Sequence, residues 1–432
     1  MKRFLLLLLL SVPVFLLAQS AMSLDDCIRL AYKQNPAVRN GVIGIKETKA
    51  DYIASVGAFL PHIVVNAETG KRFGRSLDPD TNGYTSESFE EGTVGLDMTL
   101  SLFEGFSRIN QVRFRKMNKE RSEWELKEKQ NELAYQVTDA YYKLILERKL
   151  LDLALEQSRL SERYLKQTEV FVELGLKSAS DLQEVKARRE GDIYRYQSRG
   201  NSSRIALLHL KQLMNIQPDT LAILDTITAS QVPPYSVSTV ETLYAQSIEI
   251  LPSIRMIDLK QKAAHKEYAI AGGAFSPSVF ARFTVGSNYY NTAFSARQLR
   301  DNIGKYVGVG ISFPLLSGLQ RLTNQRKLKL NMYRLKNEEE LEKQQLYTDI
   351  EQTLLSLHTG YSEHQQALSQ LDAETLVLKE SERKWEEGLI SVFQLMEARN
   401  RFIAAKAELV RVRLQIEMMM KLEKYYRQGT FL

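Results

Sequence analysis

The residues that could carry chemistry are few and irregularly placed. Five histidines, His62, His209, His265, His358 and His364, are scattered along the chain. The closest two, His358 and His364, do not fall on one helical face as paired metal ligands must. The single cysteine, Cys27, cannot form an intrachain disulfide. It follows Leu24-Asp25-Asp26 rather than the small residues of a lipid-anchor site, so it reads as a buried thiol of the first helix. No nucleophile elbow, phosphate loop or cysteine cluster is present. Carboxylates are plentiful but alternate with Lys and Arg, which is the pattern of a solvated coiled-coil surface. Neither an enzyme nor a cofactor or metal carrier is expected. The net charge of +6 over 432 residues is mild and gives no support to nucleic-acid binding, which favours clustered basic patches.

What remains is one charged motif that occurs twice. "LGLKSASDLQEVKAR" (174–188) and "EGLISVFQLMEARNR" (387–401) each place a glycine after a long charged run, an acidic residue nine positions on (Glu184, Glu397) and an arginine four beyond that (Arg188, Arg401). At that spacing the acid and base are neighbours on a helix surface, worth a few tenths of a kcal/mol.

The elements that position these motifs form a tandem repeat. "NPAVRNGVIGIKETKADYIASVGAFLPHIVV" lies over "LPSIRMIDLKQKAAHKEYAIAGGAFSPSVFA", and Gly105 and Arg108 lie over Gly318 and Arg321. From there to Gly175 and Gly388 the register holds without insertion, as continuous helix packing requires, since one extra residue turns every later side chain by about 100°. Insertions are confined to regions near 70–92 and 286–305. Each half reads as helix, strand, loop, strand, very long helix, glycine turn and long helix. The leading helices are expected at about 24–58 and 239–275, stopped by Pro61 and Pro277.

The strands show period 2. Ile63, Val65 and Ala67, then Leu96, Met98, Leu100 and Leu102, hold one face in the first half; Val279, Ala281, Phe283 and Val285, then Val307, Val309, Ile311 and Phe313, hold it in the second. This pattern suits a membrane β-barrel or the half-buried antiparallel sheet of a soluble protein. The helices decide between them. Residues 106–173 and 319–386 lack proline and are rich in Leu, Glu, Lys, Gln and Arg, and each would be on the order of 100 Å long. Leu354, Leu357, Tyr361, Leu368, Leu371, Leu378 and Trp385, then Leu395, Ala398, Phe402, Ala405, Leu409, Val412, Ile416 and Met419, recur at coiled-coil spacing. Such helices build a rod or tube.

The N-terminus, Met1-Lys2-Arg3 followed by the apolar run Phe4–Leu17 and Ala18-Gln19, reads as a secretory signal peptide over 1–18. The organisation expected is therefore signal peptide 1–18, first repeat 19–214, a Pro-rich linker 215–238 and second repeat 239–427. Four membrane-type strands cannot close a barrel, because bacterial barrels start at eight, and open edges in lipid are prohibitive. Other copies must complete them.

The paired "NPAVR" and "LPSIR" openings, the junctions "LSLFEGFSR" and "FPLLSGLQR" and the twin turns resemble the TolC family of outer-membrane efflux and secretion channels over about 24–426. The loop "GRSLDPDTNGYTS" resembles Bacteroidetes members. The resemblance implies a mixed α/β membrane protein. Four strands per chain would enter a homotrimeric 12-stranded outer-membrane β-barrel in lipid, continuous with a long periplasmic α-helical coiled-coil barrel. Its tips would dock a periplasmic adaptor and an inner-membrane transporter, and conduction would be passive.

By the same resemblance, Gly175, Leu176, Ser178, Asp181, Leu182, Gly388, Leu389 and Ser391 would contact the adaptor, and Gln394 and Glu397 would stand at the pore constriction. Gln394 departs from the family's acidic pattern, leaving one carboxylate ring. Alternatively Glu397 is a solvated helix carboxylate paired with Arg401. Gly105 and Gly318, with Pro314 in the second half, are expected at strand-to-helix junctions, where a residue without Cβ tolerates sharp dihedrals. Ile390, Val392 and Phe393 make the second turn apolar, which suits an aperture lining, whereas the first turn is polar and suits the periphery. The rival reading is a periplasmic coiled-coil adaptor or structural protein without a pore.

Overall fold

The computed structural model describes residues 22–77, 81–86, 88–216, 238–291, 293–316 and 318–432. The expected signal peptide and all but the ends of the expected linker lie outside these. The chain divides into two units, and each repeat contributes to both: one unit holds 41–126 and 252–344, the other the remaining described residues.

The long helices form where expected. α3 (Ser107–Glu173) and α8 (Gln320–Glu386) are each 67 residues, and α4 (Ala179–Met214) and α9 (Val392–Gln428) return from them. The leading helices differ from expectation. Each is two helices, α1 (Leu24–Gln34) with α2 (Pro36–Gly57), and α5 (Val240–Ile250) with α6 (Pro252–Gly273). The breaks fall at Asn35 and Leu251, whose extended backbone is what a following proline imposes. Pro36 and Pro252 then open the next helix, where a missing N–H costs nothing. α2 and α6 end at glycines before Pro61 and Pro277 are reached.

In the first unit, β1 (His62–Arg72), β4 (Phe89–Glu104), β5 (Ser278–Asn291) and β6 (Gly304–Ser312) make one antiparallel sheet in that order. The strands run further than the sequence suggested, into regions read as insertions. Phe313 lies beyond β6. The β1–β4 connection carries its own small hairpin, β2 (Ser76–Leu77) with β3 (Tyr84–Thr85), and the β5–β6 connection carries a short helix, α7 (Ala296–Asp301).

Register puts the expected apolar sets on one face as far as Leu100; a bulge between Ser101 and Phe103 then drops Leu102 from the pairing and sets Phe103, not Leu102, opposite Val279. Val65 pairs with Leu96, Leu96 with Val285, and Ala281 with Val309. The opposite face carries Asn66, Glu68, Asp97, Thr99 and Thr284. Asp97 accepts hydrogen bonds there from Asn66 at 3.3 Å and Thr284 at 2.9 Å. Among the described residues the outer edges of β1 and β6 have no strand partner.

At the junctions, Gly105 and Gly318 take φ of +57° and +56°, each followed by a second left-handed residue, Phe106 and Leu319. At Gly105 a Cβ would also meet the Gly273 carbonyl oxygen at 2.5 Å, while at Gly318 the space is open. The Pro314 carbonyl accepts from Arg321 at 3.2 Å. The first half fastens the same arginine differently, Arg108 bonding the Glu104 carboxylate at 3.1 Å.

In the second unit part of the expected seam is buried, while Tyr361, Leu368, Leu371, Leu378, Phe402, Leu409 and Met419 are half-buried. Leu354, Leu357, Trp385, Leu395, Ala398, Ala405, Val412 and Ile416 are buried, and Cys27 is fully buried in α1. Burial pushes the Cys27 thiol up to about 12, so it stays protonated and inert.

Candidate functional site

Both twin motifs fold into the same backbone device. At the end of α3, Leu176 N–H donates to Phe171 O at 2.8 Å and Gly175 N–H to Val172 O at 3.0 Å. At the end of α8, Leu389 N–H donates to Lys384 O at 2.8 Å and Gly388 N–H to Trp385 O at 3.0 Å. These paired bonds with a left-handed glycine, φ +71° at Gly175 and +77° at Gly388, are Schellman closures. Each is followed by an N-cap serine in a reciprocal capping box, Ser178 with Asp181 and Ser391 with Gln394.

This gives Asp181 and Gln394 one structural role. The Asp181 carboxylate accepts from Ser178 N–H at 3.0 Å and its hydroxyl at 2.9 Å. Backbone bonding first, then the hydroxyl, holds its pKa below the ordinary carboxylate value. Gln394 Oε1 accepts from Ser391 N–H at 3.1 Å. The S-x-x-D and S-x-x-Q spacing carried this signal in the sequence. Glu397 lies 3.5 Å from Arg401, which also reaches Glu374 at 3.3 Å, and its counterpart Glu184 pairs with Arg188 at 3.9 Å.

The two hairpins pack together. Val392, Leu395 and Met396 of α9 are buried with Trp385 of α8, Tyr164 of α3 and Val185 of α4, and Ile390 packs against the same cluster. Tyr164 and Trp385 meet edge to face at 5.3 Å, and the Arg188 guanidinium stands 5.6 Å over the Phe393 ring. Val392 therefore serves the contact between hairpins, leaving Leu389 and Phe393 as the exposed large apolar residues of the second turn and Leu174 and Leu176 as those of the first. Gly175, Ser178, Gly388, Ser391, Gln394 and Glu397 are exposed, whereas Asp181 and Leu182 are half-buried.

Behind the turns lies a polar node that the sequence reading missed, with donors and acceptors from all four long helices. Arg399 is 2% exposed. It donates to Gln157 O at 2.5 Å and stands 5.6 Å from the Tyr164 ring centroid. Burial lowers its pKa while the Asp192 charge opposes that shift. Asp192 is itself buried, accepts from the Ser161 hydroxyl, and pairs with Arg195 at 2.6 Å. Tyr164 donates to Glu382 at 3.1 Å, and burial followed by the Glu382 charge raises its hydroxyl to about 12. Arg399 Nε and Trp385 Nε1 are buried without a hydrogen-bond acceptor, which is costly. The one signal was position: Arg399 is four residues after Leu395 and three before Phe402, in phase with the apolar seam.

This site fixes two helix reversals against each other; it assembles no nucleophile with a base. Among the described residues no group of three or more His, Cys, Asp and Glu side chains could hold a metal ion, and no helix is long and apolar enough to cross a membrane.

The sequence profile described as "Outer membrane efflux protein" matches residues 27–215 and 243–418. The chain is similar to the outer membrane efflux protein BepC of Brucella suis biovar 1 (strain 1330), with 22% identity over 306 residues. That match takes in 70% of this chain and 63% of the relative, so it spans less than two thirds of that protein. Its fold is similar to the CmeC outer membrane channel of Campylobacter jejuni, with a TM-score of 0.81 at 14% identity, covering 94% of this chain and 85% of that one. It is also similar to the outer membrane protein VceC of Vibrio cholerae, with a TM-score of 0.77 at 15% identity, covering 95% and 97%.

Proposed function

The chain belongs to the outer membrane efflux protein family, and we propose that it is the outer-membrane channel subunit of a tripartite efflux or type I secretion assembly, passively conducting what an inner-membrane pump delivers. The observation that carries this reading is the four-stranded sheet with one apolar face, one polar face and two edges that have no strand partner among the described residues. In lipid the edges must pair, and three copies bring twelve strands into one closed barrel. The apolar face then meets hydrocarbon and the polar face lines the lumen. The helical turns project Leu174, Leu176, Leu389 and Phe393 as apolar contacts for a periplasmic adaptor, whose pump supplies the energy.

Closure can be tested with cysteines in a Cys27→Ser background, one at Ile63 or Val65 on β1 and one at Val307 or Val309 on β6. Inter-chain disulfides that give dimer and trimer bands from outer-membrane fractions support the trimer. A protein recovered as a soluble periplasmic monomer with no crosslink contradicts it. Glu397 from three chains would place like charges around one axis. Glu397→Gln is expected to shift the reversal potential under a salt gradient, and an unchanged potential removes Glu397 from the constriction.

A further inference from the structure

The β5–β6 connection is built differently from an ordinary hairpin loop. β5 pairs with β4 as far as Asn291 but with β6 only as far as Gly286. The edge of β5 left free by β6 is fastened by its own loop. Tyr290 N–H donates to Gln298 Oε1 at 2.9 Å, Asn302 Nδ2 donates to Asn288 O at 2.9 Å, and the Ser287 hydroxyl donates to Leu299 O. Side chains thus do the work of the missing strand, a known way of blunting an edge.

These bonds also decide which face the loop covers. Ser287 and Tyr289 continue the set Val279, Ala281, Phe283 and Val285, so they stand on the apolar face. Leu299 and Phe294 join Tyr289, Val94, Ala67 and Thr69 of that face around one shallow pocket, which Glu68 and Thr93 also line, with the Phe294 and Tyr289 rings edge to face at 5.1 Å. α7 therefore lies on the apolar face, at the sheet end remote from the strand-to-helix junctions. Its inner side carries Ser295, Gln298 and Leu299, all half-buried. Its outer side carries Arg297 and Arg300, 85% and 75% exposed. The anion paired with both is Asp301, at 3.4 and 3.0 Å, so the pair keeps a net positive charge, joined by exposed Lys305 at the start of β6. Phe294 is 63% and Ile303 57% exposed beside them.

Apolar groups reaching outward from a lipid-facing wall, with arginines at the same level, are the composition of an element lying in the headgroup layer. We propose that α7 and its flanks are a binding surface for the phosphate groups of the outer-leaflet glycolipid, with Arg297 and Arg300 gripping phosphate and Phe294 and Ile303 entering the acyl boundary. Arginine suits this because its planar fork meets phosphate oxygens in pairs. The inference rests on the channel reading, which makes the apolar face lipid-facing and this end the outer one.

The test uses the purified full-length protein in detergent, with lipid retention measured by native mass spectrometry against bisphosphorylated lipid A, its dephosphorylated form and phosphatidylcholine. Wild-type protein is expected to retain the phosphorylated glycolipid selectively. Arg297→Gln with Arg300→Gln should weaken retention on the order of ten-fold, as two basic groups at an anionic surface would, and the double Lys variant should fall between. Trimer mass and bilayer conductance of the same preparations report separately on the channel reading. Conducting trimers that hold lipid A equally with and without the arginines, or equally with and without its phosphates, overturn the inference and leave the channel standing.

Discussion

The α3–α4 and α8–α9 turns share a backbone and differ in what they bury. Gly175 and Gly388, and Ser178 and Ser391, do the same work at equivalent positions. Yet the second turn sinks Val392, Leu395 and Met396 into the contact between hairpins, while the equivalent Ala179 is exposed and Leu182 half-buried. Buried charge is also split between the halves: Asp192 from the first and Arg399 from the second, whose repeat equivalents are Ala405 and Lys186. Duplication preserved the punctuation that reverses a helix. Divergence gave one turn the inner packing and left the other more polar.

That asymmetry should be largest in the core. Leu395→Ala removes a fully buried side chain and is expected to lower the local opening free energy at the tips by about 3 kcal/mol, against about 1 kcal/mol for half-buried Leu182→Ala. Hydrogen exchange across the two turns measures both, and equal losses would erase the distinction. The backbone device should behave alike in both places. Gly175→Ala and Gly388→Ala each put a Cβ on a left-handed residue in open space and should cost about 1 kcal/mol apiece; unequal costs would break the shared-device half of the comparison.

The smallest effect separates the caps by pH. The lowered pKa of Asp181 means its cap is complete above the ordinary carboxylate value and is lost as pH falls through the lowered one. Gln394 takes up no proton in that range. Below about pH 4 the first turn of α4 should lose amide protection while that of α9 keeps it, and matched loss in both would contradict the assignment.

The long helices were legible to within a residue because nothing in 106–173 or 319–386 interrupts them, and the strand faces were legible because a period of 2 survives any uncertainty about strand ends. The outer half of β4 was not. Gly92 fell in the region read as an insertion, but it lies under the Tyr289 ring, which occupies the place of a Cβ at 2.4 Å, so the missing side chain is supplied across the strand pair. Gln394 is legible as a cap from the S-x-x-Q spacing alone, as Asp181 is from S-x-x-D. Arg399 was the hardest: a charge among many on a helix becomes a buried one only when four helices meet around it, and its phase with the apolar seam is the one local sign of that.

The central claim is that copies of this chain close their four-stranded sheets into a pore. Purified protein of trimer mass, added to a planar lipid bilayer, is expected to give discrete single-channel conductance steps that shift in selectivity with Glu397→Gln. A stable monomer that leaves the bilayer silent would contradict it.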